Sequence, residues 1–157
     1  MKQVNALIRI TRLKKGIKAA ALAHECNITA SYLSQIESGK EVDPAITSKI
    51  LRQLGIEIKK NNRQVQKYDR MMDDLINAAA YYDQARVQEL IDQLAKSEAV
   101  LMESELALKW MLTTFIAQVL NKNNGAMKET REILKKCVKL FTPELLQIYF
   151  LYLGMSF

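Results

Sequence analysis

Between Ala30 and Gln35 the chain sets a methyl, two hydroxyls and a primary amide at the spacing of one helix face: Ala30, Ser31, Ser34 and Gln35. Ile28, Leu33 and Ile36 fall on the opposite side, and their period marks that side as buried, against Leu13, Leu22, Cys26 and Ile50. Hydroxyls both donate and accept, and an amide presents a donor and an acceptor side by side. Such a set recognises the hydrogen-bonding edges of a polar partner by contact. It does not make or break bonds.

Bond-making chemistry is poorly represented elsewhere. His24 is the single histidine, and it reads as an exposed helix residue within the same segment. Cys26 and Cys137 lie far apart in apolar surroundings, which reads as core. They imply no disulfide framework and fit a reducing, cytoplasmic setting. No metal-ligand cluster, glycine-rich phosphate loop or nucleophile motif is present, so no enzymatic activity, cofactor or metal is expected. The N-terminus lacks the apolar stretch of a signal peptide. The apolar run 145–157 is shorter than the roughly 20 residues a membrane span takes, and reads as a core helix or a partner surface.

Charge is unevenly distributed. Residues 1–67 carry 13 Lys/Arg against 5 Asp/Glu, a net of +8, and residues 68–157 carry 10 against 12, a net of −2. A basic end is expected where a chain meets a polyanion, and a solvated basic face would give the same count.

These residues need elements to hold them. Helix formers abound and no strand-like alternation occurs, so the chain reads as all-α. Four short helices, at about 2–15, 19–26, 30–38 and 43–54, end at Gly16, Asn27, Gly39 and Gly55. Thr29 is placed to cap the third, and Asp43-Pro44 starts the fourth. The basic stretch 59–63 reads as a short linker. Longer helices follow at about 64–81, 84–97, 101–121, 126–140 and 144–157, a pattern of stacked antiparallel hairpins.

The run from Leu22 to Lys40, with Leu22-Ala23, the turn at Asn27 and Ser31-Tyr32-Leu33-Ser34-Gln35-Ile36-Glu37-Ser38-Gly39-Lys40, resembles the Cro/repressor (Xre) type of helix-turn-helix regulator. The resemblance covers residues 7–58. It implies a double-stranded DNA partner, with Ala30, Ser31, Ser34 and Gln35 reading bases and Thr29, Ser38 and Lys40 near phosphates. Gln35 is suited to a bidentate bond with adenine, and Ala30 to a thymine methyl. Arg12 and Glu37 match an internal salt bridge of the family. Lys18 and Ala19 depart from it: the usual Ser/Thr cap and polar phosphate contact are missing, and Lys18 is the expected substitute.

In the last segment Phe150, Leu153, Gly154 and Phe157 are similar to the first helix of a tetratricopeptide repeat, over half a repeat. A repressor-type motif followed by helical hairpins resembles the Rgg and PlcR type of peptide-sensing regulator from Gram-positive bacteria. That resemblance implies dimerisation and a peptide or protein effector held by residues 64–157, and it leaves open that the chain is a piece of a longer regulator. Three divisions follow: a DNA-binding domain at 1–58, a linker at 59–63 and a dimerisation or effector region at 64–157. The stripe of Trp110, Met111, Leu112 and Phe115, and the pairs Met71-Met72 and Tyr81-Tyr82, read as core or dimer surface. The expected function is a dimeric, sequence-specific transcriptional regulator. The alternative is an interaction module, an antitoxin or adaptor, whose main activity is partner binding.

Overall fold

The structure, a computed structural model, describes residues 2–58 and 62–157. The described residues are all-helical, without strands. Four short helices come first: α1 (Lys2–Lys14), α2 (Ala19–Glu25), α3 (Ala30–Glu37) and α4 (Pro44–Gln53). Six follow: α5 (Asn62–Ala80), α6 (Gln84–Ala95), α7 (Glu98–Met102), α8 (Ala107–Leu120), α9 (Asn124–Lys135) and α10 (Pro143–Met155), with a 3-10 turn at Val138–Leu140. Of the expected linker 59–63, residues 59–61 lie outside the described residues, and Asn62 and Arg63 belong to α5.

The short helices stop where the chain enters left-handed conformations: Gly16, Asn27, Gly39 and Gly55 have φ of +67°, +55°, +106° and +77°. Asn is among the few side-chain-bearing residues that tolerate this region. Thr29 and Asp43 cap α3 and α4 by accepting from Tyr32 N and Ala45 N.

α1 is buried on more than one side. Ala6, Leu7 and Ile8 are consecutive and all fully buried, which is wider than one apolar stripe. The reason is position: α1 packs on α3 and α4, and also on α8 and the 3-10 turn. The two parts of the chain therefore share a continuous core through α1.

Residues 62–157 build on helical hairpins, α5 with α6 and α8 with α9, while α8 also touches α5, α6 and α10. The hairpin turns are copies of each other 40 positions apart. Tyr82 and Lys122 have φ of +55° and +53°. Asp83 and Asn123 cap the next helices by accepting from Arg86 N and Ala126 N. Buried Met72, Leu75 and Ala79 of α5 correspond to Leu112, Phe115 and Val119 of α8. The interval exceeds the 34 residues of a tetratricopeptide repeat. Lys109 of α8 ties the layers together by donating to Asp69 and Asp73 of α5 at 2.6 and 2.5 Å.

The helix expected at 101–121 is interrupted. Ser104 Oγ donates to Leu101 O and accepts from Leu106 N, which closes α7 and opens α8 as a buried serine competing with the helical ladder. The stripe of Trp110, Met111, Leu112 and Phe115 is core. Met72 is buried, whereas Tyr81 and Tyr82 stand at a hairpin turn, 86% and 73% exposed. α10 is two-sided: Tyr149 and Tyr152 are buried, and Phe150, Leu151 and Met155 are exposed. A Cβ on Gly154 would meet nothing within 4 Å, so here that glycine admits no close neighbour.

Candidate nucleic-acid interface

The local geometry around α3 is set by α2, α3 and the turn between them. Cys26 N donates to Leu22 O and Ile28 N to Ala23 O, so the chain reverses in a few residues and α3 crosses α2. Ala23, 1% exposed, has no bulk to hold the helices apart. Leu33 and Ile36 are fully buried with Leu22, Cys26 and Ile50, and Ile28 and Leu13 are partly buried around them. Burial of that face leaves Ala30, Ser31, Ser34 and Gln35 exposed together on the other.

Glu37 anchors the far end of α3. Its carboxylate, on a side chain only 3% exposed, accepts from Arg12 Nε at 2.5 Å and from the second Arg12 nitrogen at 2.9 Å. Arg12 also donates to Ile17 O. This fork satisfies both carboxylate oxygens and joins α1, the turn before α2, and α3. Removing either partner strands a buried charge. Arg9 reinforces the joint by donating to Glu37 O at 3.5 Å.

Pattern reading passed over Asn5. It is 2% exposed and donates from Nδ2 to Lys40 O at 3.0 Å, so α1 fixes the loop that follows α3. Its signal was a lone amide one position from a buried apolar run. Lys15 likewise donates to Leu54 O, closing α4. Thus Arg9, Arg12 and Lys15, all counted in the basic end, each hold a bond to the fold itself, and the charge of Arg12 is offset by Glu37.

The exposed loop residues have their own ties. Lys40 Nζ donates to Gln35 Oε1 at 2.9 Å and lies 5.2 Å from the Tyr32 ring centroid. The Gln35 amide nitrogen remains available as a donor, and the oxygen keeps a second lone pair, so a bidentate bond to adenine shares that oxygen with Lys40. Ser38 donates to Ser34 O, and its oxygen keeps acceptor capacity. Thr29 holds its cap on α3, at the end where helix amides attract anions. Lys18 precedes α2 in extended conformation and makes no side-chain cap. All eight residues expected at the interface, from Lys18 through Thr29 to Lys40, are exposed.

Burial holds Cys26 and Cys137 as thiols: both have raised pKa values, and that of Cys137 is pushed up to about 11. Among the described residues no group of three His, Cys, Asp or Glu is arranged to hold a metal, and no helix is long and apolar enough to cross a membrane.

The helix-turn-helix family model HTH_3 matches residues 8–61, about a third of the chain. No curated protein and no solved structure matches. Match and geometry agree on a helix-turn-helix domain of the Cro/C1 type, the module by which transcriptional regulators bind DNA.

Proposed function

We propose that this chain is a sequence-specific, double-stranded-DNA-binding transcriptional regulator that acts as a homodimer and has no catalytic activity. The observation that carries the reading is the exposure of Ala30, Ser31, Ser34 and Gln35 on one face of α3 while its other face is core. A helix so presented enters a major groove about 12 Å wide. In the division of labour, residues 1–58 grip DNA, and the helical region 64–157, built of tetratricopeptide-like hairpins with a longer interval, joins two copies. That same region is the place for control by a peptide or protein, in the manner of Rgg- and PlcR-type regulators.

Two observations support a dimer. The phosphate grip of one copy is thin, because Arg12 is paired with Glu37, Arg9 and Lys15 are tied to backbone carbonyls and α2 lacks a side-chain cap. Two linked copies gain affinity without new contacts. Second, α10 repeats the register of α8. Forty positions before Phe150, Leu151 and Met155 stand Trp110, Met111 and Phe115, all buried, in a helix packed by α1, α5, α6, α9 and α10. The α10 residues are 53%, 60% and 44% exposed, so positions that neighbouring helices cover on α8 are open on α10. A second copy supplies a helix of matching apolar character, and the stripe carries no charge to repel it across a two-fold axis.

The test is size-exclusion chromatography with light scattering on the full chain and on Leu151→Glu. The reading expects a dimer that becomes a folded monomer in the variant, with operator affinity reduced at least about tenfold. A wild-type monomer that binds its operator at full strength contradicts it.

A further inference from the structure

A cavity of about 180 Å³ lies where the end of α1 meets α7, α8 and α9. Its wall includes two buried oxygens with no hydrogen-bond partner in the protein, Thr114 Oγ1 and Gln118 Oε1. They stand one turn apart on α8 and so face the same way. The Thr114 orphan has a local cause. A helical threonine ordinarily bonds back to the carbonyl four residues earlier. Here Thr113 donates to that carbonyl, Trp110 O, at 2.9 Å. An unpaired buried polar group is costly, which marks Thr114 and Gln118 as groups for a polar ligand that enters from outside, with Gln118 Oε1 calling for a donor and the Thr114 hydroxyl able to take either role.

The rest of the lining sets the ligand's character. Lys14, Glu98 and Glu129 are exposed residues at the rim. Met111 and Ile133, both buried, give an apolar wall. The volume equals that of about six liquid waters, which suits one small amino acid and is too small for a peptide. We propose that this cavity is a binding site for a small aliphatic α-amino acid. The ammonium donates to Thr114 Oγ1 and Gln118 Oε1 with Glu98 and Glu129 as counter-charges. The carboxylate meets Lys14, and the side chain packs on Met111 and Ile133. Each feature of the zwitterion has its complement, whereas a simple amine leaves Lys14 unanswered and a simple acid leaves Gln118 Oε1 without a donor and faces Glu98 and Glu129 uncompensated. Because Lys14 belongs to α1, the ligand bridges the helix that clamps α3 to the α8–α9 hairpin.

The single tryptophan reports on the site: Trp110 Nε1 donates to Glu98 Oε1 at 3.4 Å. The experiment titrates the full chain, without DNA, with each of the common amino acids, with isobutylamine and with isovalerate. Calorimetry and tryptophan emission are the readouts, and the absence of DNA separates the outcome from the DNA-binding reading. The expected result is saturable binding of at least one aliphatic amino acid below about 1 mM, a change in Trp110 emission, and affinity at least about tenfold above either half-ligand. The double variant T114V/Q118L removes the orphan oxygens, and Lys14→Ala changes only an exposed rim residue. Each should weaken binding about tenfold. If no amino acid saturates the protein below about 10 mM, if a half-ligand binds as well, or if Lys14→Ala binds like the wild type, the proposal is overturned and the cavity holds solvent only.

Discussion

The regions on either side of residues 59–61 solve opposite problems with the same element. In the first, α3 buries its apolar residues and exposes small polar ones, Ala30, Ser31, Ser34 and Gln35. In the second, α10 buries two tyrosines and exposes Phe150, Leu151 and Met155. One face is built to stay in water until a polar groove replaces it, and the other gains by leaving water. The contrast teaches that the two regions present surfaces of opposite chemistry, although α1 gives both one core.

The sharpest way to break the comparison is at the joint. Glu37→Ala leaves Arg12, on a side chain 11% exposed, without its partner, and should cost about 3 kcal/mol in urea unfolding. A loss below about 0.5 kcal/mol would place the pair among surface ion pairs. Next in size is Gln35→Ala. On a selected operator it should reduce discrimination at one base pair by about 1–3 kcal/mol and leave binding to random duplex unchanged. A uniform loss on all sequences would make Gln35 a phosphate contact. Lys18→Ala should do the reverse, weakening all duplexes alike and lowering the salt slope by about 1. The smallest effect separates core from surface. Cys26 and Cys137, 1% and 0% exposed, should resist a thiol reagent at pH 8 and react fully in denaturant. Above pH 9 the unfolded Cys137 thiol ionises while the folded one, with its pKa raised by burial to about 11, stays protonated. The unfolded state then binds fewer protons, so stability contributed by this group falls as pH rises from 9 to 11. A melting temperature in Cys137→Ala that declines just as steeply over this window would assign the loss to other groups.

How much of this could be read beforehand follows from locality. Helix ends at Gly16, Asn27, Gly39 and Gly55, and the caps at Thr29 and Asp43, depend on a few adjacent residues, so composition reveals them. The exposed face of α3 follows from a period within eight residues. What escaped depends on distant partners. Ala6, Leu7 and Ile8 look like part of one stripe until α8 is known to lie across α1. Asn5 is unremarkable until Lys40 O, 35 residues away, is seen to accept from it. The break at Ser104 arises because a buried serine has the helix's own backbone as its nearest partner. The 40-residue interval is carried by backbone sign and caps at Tyr82-Asp83 and Lys122-Asn123, where the residue types differ and self-similarity of sequence is faint. The site itself gained a constraint that no pattern contains, the Lys40 bond to Gln35.

The most direct measurement of the central claim is selection of bound duplexes from a random pool by the full chain, followed by footprinting of the enriched site. Two-fold-related half-sites, centred about 34–36 Å apart so that two copies of α3 enter successive major grooves, are the predicted result, with enrichment lost when Ser31, Ser34 and Gln35 are replaced by alanine. Equal retention of all sequences, or enrichment unchanged by those replacements, would contradict the account.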